Sequence, residues 1–240
     1  MAKYELLIFD LDDTLINNDE NVRHAFKKML ALLGEQYSDN LFSSWQQFDK
    51  KFWLDFYNGK IITPYEKSDE RYVPYVQSLR YYQFFDKKIS IEEALKINPL
   101  FLNWLKEKVV AEDGCYETLE HLYNCGYKLV VATNGANQAI ESKLSKINCQ
   151  KFIAKTFSAD MTRECVTKPN PVFFEELLTY LDYHDKDKIL LIGDSLHSEV
   201  QGGMNSGIDT CWYNKYHEPL KEPYQPTMEI NNLKQLVKKI

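Results

Sequence analysis

Three carboxylates, Asp10, Asp12 and Asp13, crowd into four positions where the apolar run Leu6-Leu7-Ile8-Phe9 stops. Acids this close repel one another and resist ionisation, so a cation or a cationic side chain is expected to hold them together. Two further apolar runs end in the same manner: Leu129-Val130-Val131-Ala132 in Thr133-Asn134-Gly135, and Ile189-Leu190-Leu191-Ile192 in Gly193-Asp194-Ser195. Singly, such residues are ordinary turn and helix-cap formers. Together they deliver acid, hydroxyl and acid from three runs. Lys168, ahead of Pro169, is a candidate for the positive charge. Asp12 follows Asp10 by two residues, which in extended chain puts both side chains on one side.

Positioning such a set falls to the runs themselves. Four to eight apolar residues between polar ones fit a strand buried on both faces, as in a parallel sheet. Strands are expected at 6–9, 127–133, 156–158, 189–194 and 210–213, with helices at 137–144 and 171–181 between them. That alternation predicts an α/β fold, a Rossmann-like parallel sheet flanked by helices. In open sheets of this kind, ligands bind beyond the carboxyl ends of the strands near a switch point. The acids and Thr133 fall there.

Residues 17–109 have a different texture. Val22, Phe26, Leu30 and Leu33 keep helical spacing, as do Leu41, Trp45, Phe48, Phe52 and Phe56. Thr63-Pro64 is expected to open a helix, Ser90-Ile91-Glu92-Glu93 has capping-box spacing, and Pro99 is expected to start a further helix. The expected organisation is a core of 1–16 and 110–240, with 17–109 inserted as an all-helical cap domain. Eighteen of the chain's 33 aromatic residues lie in that insertion, enough to form the core a small domain needs. A sharper expectation is that one or two of them stack on a planar ligand such as a nucleobase.

Composition narrows the partners. A net charge of −6 gives no basic stripe for a nucleic-acid polymer, and no apolar run approaches the ~20 residues of a membrane span. The five cysteines are widely spaced without a C-x-x-C pair, which argues against zinc or a disulfide framework. A small anionic substrate and a cytoplasmic location fit, as monomer or homodimer.

The order Asp-x-Asp-x-Thr, strand-final Thr133, Lys168 and Gly193-Asp194 resembles the haloacid dehalogenase superfamily in its phosphatase branch, one class of which carries a helical cap after the first motif. The resemblance implies a Mg²⁺-dependent phosphomonoesterase. Asp10 and Asp194 would hold the metal with the backbone carbonyl of Asp12. Asp10 would attack phosphorus to form an aspartyl-phosphate, and Asp12 would serve as acid and then base. Thr133 and the Asn134 backbone would bind the phosphoryl oxygens, with Lys168 balancing their charge. Glu199 falls where relatives often carry aspartate, either assisting the metal through water or serving as a helix N-terminal acid. Asp13 and Thr14 are assigned to the turn, and His197 to the surface near a helix start. Gly193-Asp194-Ser195-Leu196, Gln201-Gly202-Gly203 and the segment 207–214 are similar to house-cleaning pyrimidine nucleoside-monophosphate phosphatases. The chain departs from these relatives in a longer 158–168 loop and in Ile140, where a polar residue is expected. A nucleoside monophosphate is the first implied substrate. Sugar phosphates or phosphoglycolate come second, and a phosphomutase uses the same residues. A dehalogenase is disfavoured because it has no need of Asp12 or Asp194, and a catalytically silent binding protein because Asp10, Asp12 and Lys168 all remain.

Overall fold

Strand β1 (Leu6–Phe9) is buried along its whole length. Its side chains alternate between two cores: Leu7 and Phe9 enter one cluster, Leu6 and Ile8 the other. The first cluster is completed by Leu119 and Leu122 of helix α5 (Cys115–Asn124), Ile140 and Leu144 of α6 (Asn137–Lys146), and Leu233 and Leu236 near the C-terminus. The second is closed by Phe173, Phe174, Leu177 and Leu181 of α7 (Pro171–Leu181). Helices on both faces explain why the strand is apolar throughout rather than alternating.

The computed structural model describes residues 3–66, 68–86 and 88–240, without the side chains of Tyr57 and Gln138. Six strands make one parallel sheet in the order β3-β2-β1-β4-β5-β6. They are β1, β2 (Lys128–Thr133), β3 (Lys155–Ser158), β4 (Ile189–Gly193), β5 (Asp209–Tyr213) and β6 (Met228–Ile230). The α/β class is as expected, and Pro171 opens α7 with Asn170 as its cap, accepting from Val172 N. Strand β6 went unpredicted: three residues are too short for a period to show. The order reverses between β1 and β4, where Phe9 and Ile192 stand in register. Asp10 and Asp194 follow one residue beyond and two residues beyond that pair.

The chain divides into two compact units, Met1–Asn18 with Val109–Ile240, and Asp19–Lys108. The second contains α1 (Asn18–Leu32) except its first residue, α2 (Asp39–Tyr57), α3 (Tyr72–Phe84) and α4 (Ile91–Glu107). Trp45 centres its core, stacked on Tyr81 at 5.8 Å and meeting Phe84 edge-on at 5.1 Å, with Phe26, Phe42 and Phe101 around them. These rings therefore serve as the unit's own core. Buried Arg80 pairs with Asp49 at 2.7 Å beside Trp53.

Two helix starts differ from expectation. Thr63-Pro64 opens no helix, because the Thr63 hydroxyl donates to Tyr65 O at 2.7 Å instead of accepting from an amide ahead of it. Pro99 lies inside α4, which starts earlier at the Ser90–Glu93 capping box. Burial of Ala94, Ile97 and Phe101 along one face carries the helix across the proline, whose cost in a helix interior is about 3 kcal/mol.

Candidate active site

After β1 the chain makes a tight turn. Asp10 N donates to Ile192 O, continuing the sheet, and Asp13 takes a left-handed φ of 65°. Leu15 and Ile16 then return amides to Leu11 O. The turn leaves Asp10 and Asp12 at the carboxyl edge while Leu11, Leu15 and Ile16 anchor in the core. Thr14, fully buried, accepts from Asp194 N at 3.1 Å. Trp212 of β5 donates its indole N–H to Asp194 O at 2.8 Å, so the residue after β4 is held from two sides.

Lys168 is the centre of the arrangement. Its side chain is 1% exposed, and Nζ lies 2.7 Å from Asp10 Oδ1, 2.7 Å from Glu199 Oε1 and 2.8 Å from Ala132 O. Three acceptors satisfy the three donors of an ammonium group. The backbone carrying it is clamped by the Asn134 amide, whose Oδ1 accepts from Lys168 N at 2.8 Å while Nδ2 donates to Lys168 O at 3.1 Å. Thr133 Oγ1 accepts from Gly135 N at 3.0 Å. The expected residues of β1, β2, β4 and the Lys168 loop thus meet at one edge, with the Asn134 side chain spent on Lys168.

Glu199 does what sequence reasoning left open. It lies in a single π turn, Leu196–Val200, and folds back so that its carboxylate accepts from Ser195 N at 3.1 Å and pairs with Lys168. That fold-back depends on Gly193, where a Cβ would stand 2.1 Å from Glu199 Cγ. His197 is half-buried in the same turn. Ile140, at a position where a polar residue was expected, is fully buried in the core.

Two lysines went unforeseen. Lys143 of α6 donates to Asp12 Oδ1. Lys215, just beyond β5, bonds buried Glu112 at 2.6 Å and lies 3.8 Å from Asp13, with Tyr213 donating to the other Glu112 oxygen at 3.1 Å. These partners are 131 and about two hundred residues away from the acids they meet, a separation no local pattern signals.

The charges do not cancel. Burial pushes the Asp10 carboxyl up to about 7, Glu199 and Asp12 adding to the effect and Lys168 opposing it. Asp194 is raised well above the usual carboxylate range by burial and by Asp13, Glu199 and Asp10. Burial alone would lower Lys168, but Asp10 and Glu199 outweigh it and hold the ammonium above its ordinary range. With every carboxyl ionised, Asp10, Asp12, Asp13, Glu112, Asp194 and Glu199 face Lys143, Lys168 and Lys215, an excess of three negative charges. Among the described residues no three His, Cys, Asp or Glu side chains gather as a ready-made metal cage. The hard oxygen donors and their unbalanced charge suit Mg²⁺, which keeps several waters and needs one or two carboxylates.

A parallel sheet carrying acids, a hydroxyl and a buried lysine at its switch point defines an α/β protein with a charged site at the carboxyl edge of its strands. The chain belongs to the haloacid dehalogenase-like hydrolase family, whose profile matches residues 7–213. It is 26% identical over 234 residues to the pyrimidine 5'-nucleotidase PynA of Streptococcus pneumoniae, covering 98% of this chain and 94% of that one. The pyrimidine 5'-nucleotidase YjjG of Escherichia coli is 24% identical over 234 residues, with 98% and 96% covered. The crystal structure of the HAD-family protein YfnB of Bacillus subtilis bound to magnesium superposes with a TM-score of 0.85 at 21% identity, covering 99% of each chain.

Proposed function

We propose that the chain is a Mg²⁺-dependent phosphomonoesterase acting on a nucleoside monophosphate through an aspartyl-phosphate on Asp10. The observation that carries this reading is the buried Asp10 carboxylate, held 2.7 Å from Lys168 at the edge shared with Asp12, Thr133 and Asp194. The Asp10 and Asp194 carboxylates, with the Asp12 carbonyl, would hold the metal. When bound, Mg²⁺ supplies charge that neutralises a phosphate dianion.

The chain's own residues account for the rest. Asp10 attacks phosphorus and the ester P–O bond breaks, its electron pair leaving on the alcohol oxygen, to which Asp12 gives a proton. Asp12, now ionised, takes a proton from water, whose oxygen attacks the phosphoryl group and frees phosphate and Asp10. The Thr133 hydroxyl, which accepts from Gly135 N, keeps its proton to donate to a phosphoryl oxygen. The Asn134 backbone is assigned the same task. Lys168, with its three donors engaged by protein oxygens, contributes charge to the site and fixes Asp10.

Support for the nucleotide comes from PynA and YjjG, both named for pyrimidine 5'-nucleotidase activity. A cytoplasmic setting suits five cysteines that all remain thiols. Phosphate release should be measured across nucleotides and sugar phosphates with Mg²⁺ and with EDTA. The expected result is metal-dependent release led by a nucleoside monophosphate. Release from no ester would sink the reading, and so would full activity in Asp10→Asn.

A further inference from the structure

We infer that Lys143 is a positioning residue for Asp12, fixing the carboxyl that handles the leaving-group proton. The inference rests on the phosphomonoesterase reading and extends it to a residue outside the four motifs that carry that reading. Lys143 Nζ donates to Asp12 Oδ1 from the second turn of α6, and the lysine side chain is only 19% exposed.

The helix that brings it there is fixed at two points. Its first amide, Asn137 N, is bonded by the Asp160 carboxylate at 3.1 and 3.2 Å. Its apolar stripe, Ile140 and Leu144, is sunk into the core shared with β1. Lys143 follows Ile140 by three residues and precedes Leu144, so its stem leaves from the rim of that buried stripe. The buried Ile140 thus has a physical role in setting the height and rotation of α6 beside the acid turn.

Asp12 needs such support. Asp10 is gripped by Lys168, and Asp194 by Thr14 and Trp212. Asp12 is partly exposed, and the other side of its carboxylate faces Gly135, where a Cβ would lie 3.7 Å from Oδ2. Held between α6 and the Thr133-Asn134-Gly135 turn, its carboxyl is confined to one rotamer without losing access to an ester oxygen. A displacement of about 1 Å in a proton-transferring group is enough to cost on the order of a hundredfold in rate.

The test exploits leaving groups that differ in their need for a proton. Wild type, Lys143→Ala and Lys143→Arg are assayed with Mg²⁺ on phenyl phosphate and on 2,4-dinitrophenyl phosphate, whose phenolate leaves without protonation. Read as kcat/KM, which covers the steps up to departure of the leaving group and not the shared hydrolysis of the aspartyl-phosphate, Lys143→Ala should lose roughly 10- to 100-fold on phenyl phosphate and less than about threefold on the dinitrophenyl ester. Lys143→Arg, which keeps the charge and reach, should recover most of the difference. An equal loss on both esters, as general damage to the fold would give, overturns the inference, as does no loss on either. A wild type that hydrolyses neither ester overturns the phosphatase reading instead, so the two failures are separable.

Discussion

The Thr14 hydroxyl accepts a hydrogen bond from Asp194 N at 3.1 Å, tying the acid turn after β1 to the end of β4 across 180 residues of sequence. The same hydroxyl is aimed at Asp194 Oδ1 at 3.5 Å, so Thr14 fixes the spacing of the two carboxylates assigned to the metal. Thr14→Val keeps the shape and removes the hydroxyl that accepts from Asp194 N and faces Asp194 Oδ1. Losing one partner of a buried bond costs about 1–3 kcal/mol, so global stability should fall by that order while Mg²⁺ affinity falls as well. Thr14→Ser should restore the affinity. Calorimetric titration of Mg²⁺ into the variants checks this, and unchanged affinity in Thr14→Val would remove Thr14 from the metal site's support.

Lys168 pairs with two carboxylates at once, which makes it structural as well as functional. Lys168→Met would leave Asp10 and Glu199 buried without their cation, a change that costs roughly 3–5 kcal/mol when one partner of a buried pair is removed. The variant should be inactive and less stable in urea. Adding Glu199→Gln to Lys168→Met should recover part of the stability and none of the activity. Equal stability of the single and double variants would show that Glu199 does not share the lysine's charge.

The sheet was legible because burial leaves a local trace. Leu6 to Phe9 must be apolar on both faces, Asn170 followed by Pro171 opens a helix, and Ser90 with Glu93 closes a capping box within four residues. The acids and Lys168 were legible for the same reason, each lying directly beside such an element. Contacts spanning the sheet were not. Lys143 is an ordinary helix-surface lysine until α6 docks, and Lys215 an ordinary loop lysine until Glu112 is buried beside it. Pro99 misled because its local signal, a helix start, was overridden by an upstream cap and a continuous apolar face. Glu199 was ambiguous because a π turn, rather than a regular helix, decides where its carboxylate points.

Gly193 is required for a steric reason. A Cβ there would meet Glu199 Cγ at 2.1 Å and Cδ at 2.6 Å, far inside contact distance. Gly193→Ala must therefore push Glu199 off Lys168 or move the end of β4. Overpacking of this kind costs about 1–3 kcal/mol. Thermal unfolding should register that loss, and kcat should drop because Lys168 is released toward Asp10 alone. A Gly193→Ala protein that matched wild type in both would mean that the π turn yields without disturbing the lysine.

Proton linkage gives a prediction with a definite sign. Asp10 has an ordinary carboxyl value of 3.8 when unfolded and about 7 in the metal-free fold, raised by burial first. Between these values the native state holds a proton that the unfolded chain has released, so this group lowers metal-free stability as pH rises from about 4 to 7. Asp194, raised in the same direction, adds to the slope. Metal requires the carboxylates ionised, so below about pH 7 each proton displaced should weaken Mg²⁺ binding by about tenfold per pH unit. The rise in Tm produced by a fixed Mg²⁺ concentration should accordingly be larger at pH 8 than at pH 6, while Tm without metal should decline over that interval from this site's contribution. Asp10→Asn removes the leading titration and should flatten both trends. Measured on wild type and Asp10→Asn in parallel, a Mg²⁺ effect that shrinks with rising pH would contradict the buried, protonated Asp10 on which the sign depends.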